Sequence, residues 1–97
     1  MAGVVIQPGA VIGVNSIINT GAIVDHDCVI GNHCHIAPGC VLSGAIVIAD
    51  ECHVGVGASV LQSVRLGART VVGAGAAVVS SFQGNGTLVG VPARISK

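Results

Sequence analysis

An aliphatic residue recurs at every sixth position of this chain without a gap. The series runs Ile6, Ile12, Ile18, Val24, Ile30, Ile36, Leu42, Ile48, Val54, Val60, Leu66, Val72 and Val78. Four places after each stands a second, mostly small residue: Ala10, Ser16, Ala22, Cys28, Cys34, Cys40, then Ile46, Cys52, Ala58, Val64, Thr70, Ala76 and Phe82. A simple strand alternates in twos and a helix repeats at about 3.6 residues, so a period of six fits neither. One large and one small inward position per hexad describe one side of a triangular coil, and three hexads close one circuit. The expected architecture is all-β: short parallel strands stacked in about four coils over residues 6–83, with a tail at 84–97. The chain forms one domain of 97 residues.

Composition supports such a coil. Hydrophobic residues make up 52% of the chain but aromatics only 1%, with Phe82 the single ring among Phe, Trp and Tyr. A core without rings must be filled in thin, uniform layers. Gly21, Gly39, Gly57 and Gly75 are spaced one circuit apart, a ladder down one corner where positive φ would be cheap. Asn15, Asp27 and His33 hold the same hexad place on other sides, and these residue types tolerate the left-handed region best among non-glycines. Outward-pointing Ile17, Ile23, Val29, Val41 and Val47 would leave a monomer with wet apolar faces, so an oligomer is expected.

Several functions are disfavoured. A formal net charge of zero with 8% charged residues gives no electrostatic footprint for nucleic acid or an anionic membrane. The apolar run Ala45–Ala49 is too short to span a bilayer, and no basic-then-apolar signal segment opens the chain, so a cytoplasmic location is expected. Cys28, Cys34, Cys40 and Cys52 all fall in the small inward slot, where free cysteine packs as a hydrophobe. That argues against a disulfide framework, a thiolate metal site or a cysteine nucleophile.

Chemistry concentrates at Asp25-His26-Asp27. His26 stands third in its hexad, one circuit from Pro8 and from Gly44, neither of which can crowd an imidazole. A flanking carboxylate bonded to one ring nitrogen would fix the tautomer and raise basicity at the other. On spacing alone, a solvated corner with a chance cluster of charges is an equal reading. His35 and His53 are one circuit apart and should stack outside the coil; His33 has Glu51 as its stacking neighbour, an expected surface pair.

These residues carry a family resemblance. The hexads resemble the repeats of hexapeptide acyltransferases, which implies a left-handed parallel β-helix and a homotrimer. Val24-Asp25-His26-Asp27-Cys28-Val29-Ile30-Gly31, followed by His35-Ile36-Ala37-Pro38-Gly39, is similar to the active-site run of the sialic acid O-acetyltransferases and nucleotide-sugar N-acetyltransferases. The resemblance implies direct acetyl transfer from acetyl-CoA to a sugar amine or hydroxyl, with no metal. It makes His26 the general base, Asp27 the residue that raises its basicity, and His35, Val56 and Ala74 coenzyme contacts. Gly90-Val91-Pro92-Ala93-Arg94 resembles the family's closing motif near the coenzyme's nucleotide end. The family's N-terminal sugar-binding domain is expected to be absent here, so that the coenzyme groove survives and the acceptor pocket does not. Met1–Val5 is expected to begin or cap the first coil.

Geometry adds a constraint. His26 and His35 are half a circuit apart, and a side of six residues at about 3.3 Å each is about 20 Å long. Their rings should lie on different sides of one chain, and can share a thioester only if they come from different subunits, giving three clefts in a trimer. Two rivals stand beside this reading. A γ-class carbonic-anhydrase-like zinc hydratase would share the coil, but its H-x4-H spacing is not matched by histidine intervals of seven, two and eighteen. A non-catalytic trimerisation module would use the apolar faces alone.

Overall fold

The computed structural model describes residues 5–96, so that only Val5 of the expected N-terminal cap lies within the described residues. Short strands alternate with turns in a regular winding. The first circuit holds β1 (Val5–Ile6), β2 (Val11–Ile12) and β3 (Ile17–Ile18); the second holds β4 (Ile23–Val24), β5 (Val29–Ile30) and β6 (His35–Ile36). The third holds β7 (Val41–Leu42), β8 (Val47–Ile48) and β9 (His53–Val54); the fourth holds β10 (Ser59–Val60), β11 (Arg65–Leu66) and β12 (Thr70–Val72). β13 (Ala77–Val78), β14 (Gly86–Val89) and β15 (Arg94–Ile95) complete the chain. Stacking puts β1, β4, β7, β10 and β13 on the first face, β2, β5, β8 and β11 on the second, and β3, β6, β9, β12 and β14 on the third, with β15 on its edge. All pairs are parallel except β14 with β15. The result is a left-handed parallel β-helix of about four coils, 34 × 21 × 20 Å overall.

Both inward lines fill the interior as the hexads predict. Val24, Ile30, Ile36, Leu42, Ile48, Val54, Val60, Leu66, Val72 and Val78 are buried, and so are the four cysteines. Ile6, at 48% exposure, and the half-buried Ile12 are the exceptions, because the outermost coil is covered from one side only by the described residues. Each thiol is free and donates to the carbonyl of the residue fifteen positions on: Cys28 to Ser43 (3.0 Å), Cys34 to Ala49 (3.1 Å), Cys40 to Gly55 (2.9 Å) and Cys52 to Gly67 (3.1 Å). Burial pushes the Cys28 and Cys40 thiols up, and contact with the Cys34 sulfur together with burial pushes Cys52 up. A buried, protonated thiol is inert, which describes Cys28, Cys40 and Cys52, whereas the contact with Cys52 draws the Cys34 thiol below its ordinary range.

The corners explain how two-residue strands persist. Gly21, Gly39, Gly57 and Gly75 take φ of 76, 72, 68 and 69°, and Asn15, Asp27 and His33 take 57, 59 and 58°. Ala45, Glu51, Ser63 and Arg69 adopt the same conformation, at 59, 60, 65 and 57°, although their side chains do not favour it. Their amides show why. Each donates to a carbonyl in the coil before: Ala45 to His26, Glu51 to Asn32, Ser63 to Gly44 and Arg69 to Asp50, all at 2.9–3.0 Å. The stacked ladder over-determines the corner and holds the strain.

Two sequence expectations change at the lower end. Val60 pairs with Val78 at an interval of eighteen, but Leu66 pairs with Phe82, and Thr70 with Gly86, at sixteen. The circuit therefore loses two residues between Val78 and Phe82. Phe82 consequently stands on the large-residue line below Leu66 and not in the small slot that counting by six assigns it. The first part of the tail is also a further rung of the third face, and Leu88 is buried beneath Val72.

Candidate active site

His26 lies in the turn between β4 and β5, at the corner joining the first and second faces. Asp25 Oδ1 accepts from the His26 amide at 2.7 Å, which pins the turn. Asp27 Oδ2 lies 3.4 Å from His26 Nδ1, with the two side chains 71% and 63% exposed. A proton on Nδ1 shared with that carboxylate leaves Nε2 as the basic nitrogen. At 3.4 Å the contact is long for a hydrogen bond.

The notch expected at Gly44 is present and occupied. A β-carbon on Gly44 would lie 2.6 Å from both Cε1 and Nε2 of His26. The ring thus lies in the volume that any other residue at position 44 would fill. On the other side, the Asp27 carboxylate fills the corresponding space beside Gly9. The dyad is seated between two coils that each give it room.

His35 points outward from β6 on the third face, half-buried, with Ile17 above it and His53 below in register. Its ring meets His53 edge-to-face, with centroids 4.7 Å apart and planes at 81°. Asn19 Nδ2 bonds to His35 Nε2. Val56 and Ala74 are exposed on the corner joining the third and first faces, one coil apart, linked by the Gly75 amide donating to the Val56 carbonyl at 2.8 Å. Within one chain, then, His35, Val56 and Ala74 share the third face and its adjoining corner. His26 and Asp27 occupy the corner opposite that face, across a body about 20 Å wide. The structure does not bring the two groups together in one subunit.

Sequence reasoning missed Asn19. Its line down the coil reads Asn19, Ala37, Gly55, Gly73, so a lone amide among small residues was the available signal. The expected His33–Glu51 pair is corrected: Glu51 pairs with Arg69 at 3.5 Å, because the long guanidinium reaches across one coil, and Arg69 also donates to Asn85 Oδ1. Among the described residues no group of three or more His, Cys, Asp or Glu is placed to hold a metal ion. A cavity of about 250 Å³ opens at the lower end of the coil, between Phe82, Leu88 and Arg94; Ala93 and Arg94 of the closing motif line it, but His26, Asp27, His35, Val56 and Ala74 do not.

Comparison with known proteins places this geometry. Residues 9–44 match the family described as bacterial transferase hexapeptide (six repeats). No curated protein matches the chain. Among solved structures, a histidine variant of perosamine N-acetyltransferase from Caulobacter crescentus, in complex with CoA and GDP-perosamine, is 45% identical with a TM-score of 0.97. The match covers 100% of this chain and 46% of that one. The acetyltransferase domain of PglB from Neisseria gonorrhoeae, in complex with acetyl coenzyme A, is 40% identical at a TM-score of 0.97, over 99% and 47% of the two chains. Serine acetyltransferase from the same organism is 31% identical at 0.87, over 92% and 39%. The chain thus spans about half the length of the first structures it matches. Residues 9–44 thus carry the bacterial transferase hexapeptide repeat, and the chain is built like the coil of these acetyltransferases.

Proposed function

We propose that this domain transfers acetyl from acetyl-CoA to an amine or hydroxyl of a sugar, in a cleft between two subunits of a homotrimer. The observation that carries the reading is the exposed His26 ring, bonded to Asp27 and seated over Gly44. The acceptor's nitrogen or oxygen attacks the thioester carbon while His26 Nε2 takes its proton. The C–S bond then breaks and the coenzyme leaves as a thiol, taking the proton that His26 received. Asp27 holds the ring's tautomer and stabilises its charged form. GDP-perosamine in the complex of the 45%-identical relative supports a nucleotide-linked amino sugar as acceptor.

His35, Val56 and Ala74 of one subunit form the coenzyme wall, facing His26 of the next. The separation of the two groups across one chain supports this sharing, as do the exposed Ile17, Ile23, Val29 and Val41, which a trimer would cover. Calorimetry with acetyl-CoA, alongside the mass of the assembly, tests it. A trimer should bind three coenzymes, and His35→Ala should weaken binding by roughly three- to tenfold, the worth of one hydrogen bond. A folded trimer that binds no acetyl-CoA would overturn the proposal.

A further inference from the structure

We infer that Asn19 is a positioning residue that sets the tautomer of His35, so that the ring offers an Nδ1–H donor to the coenzyme. The inference rests on the reading above, in which His35 contacts acetyl-CoA. It starts from a chemical asymmetry. The amide nitrogen of Asn19 carries only hydrogens, so the atom it meets must have a lone pair. That atom is His35 Nε2. The ring is then neutral and its proton sits on Nδ1, which makes no hydrogen bond among the described residues.

The backbone fixes both partners. The Asn19 amide N–H donates to the Ile36 carbonyl at 2.9 Å, and Ile17 and Ile18 pair in register with His35 and Ile36. Asn19 therefore stands at the end of the strand directly above His35. From below, the edge-to-face contact with His53 restricts rotation of the ring. Amide, imidazole and imidazole thus occupy three successive coils on one face. The middle ring is held in orientation by one neighbour and in protonation state by the other. A ring fixed this way is a preorganised donor for a carbonyl oxygen, and its Nε2 is not free to act as a base.

The decisive measurement needs no coenzyme. Nitrogen-15 spectra of the ring nitrogens at about pH 8, well above the ordinary histidine range, read the tautomer directly, with His35→Gln identifying the signals. Wild-type protein should show Nδ1 protonated and Nε2 bare. Asn19→Asp offers only an acceptor and should reverse the pattern to Nε2–H. The same variant should raise the Kd for acetyl-CoA about tenfold with a smaller change in kcat. Finding Nε2–H in the wild type would overturn the inference whatever the binding data say. Should Asn19→Asp reverse the tautomer yet leave the Kd unchanged, the positioning role is refuted, and His35→Ala then separates two causes. If His35→Ala weakens binding, this inference fails alone; if it does not, the assignment of His35 to the coenzyme fails with it.

Discussion

Replacing His26 with glutamine should lower turnover by about 10²–10⁴-fold, with acetyl-CoA affinity little changed. Glutamine keeps a polar side chain in the corner but has no nitrogen that can take a proton at neutral pH. The ring sits outside both inward lines and is 63% exposed, so its loss removes no core packing. A collapse in kcat with an unaltered thermal midpoint is therefore the signature of the proposed role. The assay uses acetyl-CoA with a nucleotide-linked amino sugar and follows the coenzyme thiol released. A variant that retains wild-type kcat would remove His26 from the chemistry.

Gly44→Ala should impair the same step without touching a catalytic group. The added methyl would lie 2.6 Å from Cε1 and Nε2 of His26, closer than any stable contact, so the ring must move. Gly44 has no positive φ, and an alanine backbone suits the position. Ring displacement by about 1 Å costs on the order of 10²-fold in kcat, while stability changes little. Gly57→Ala is the matched control. It has φ of 68° and open space around the added carbon, so it should cost about 1–2 kcal/mol of stability and leave kcat alone. If Gly44→Ala and Gly57→Ala have the same effect on kcat, the notch does not position the base.

Most of the coil was legible because its period is set by backbone geometry that every circuit repeats. A buried large residue and a buried small one recur wherever the chain turns inward, and the cysteines fit as ordinary members of the small line. The corners were half legible. Glycine, asparagine and aspartate advertise a left-handed residue, whereas Ala45, Glu51, Ser63 and Arg69 are forced there by ladder bonds no local signal reveals. The loss of two residues before Phe82 was hidden for a related reason: counting by six keeps finding acceptable residues after the register has slipped. At the candidate site, His26 and Gly44 could be matched because they lie one circuit apart on one line. Asn19 and His35 lie on different lines and meet only through the reach of the amide. Glu51 was assigned the wrong partner because both His33 and Arg69 are one coil away, and side-chain length decided between them.

The central claim is that the base and the coenzyme-contacting histidine of each site come from different chains. Co-assembly of His26→Gln and His35→Ala subunits tests it most directly, at limiting acetyl-CoA, where His26→Gln alone is nearly inactive and His35→Ala alone keeps about a tenth to a third of the rate. Random mixing of equal amounts should give at least about one quarter of the wild-type rate, above the average of the two variants alone, because about a quarter of the clefts then join an intact His26 to an intact His35 from its neighbour. Mixed assemblies no more active than that average would show that the two residues do not share a site across subunits, and would contradict the account.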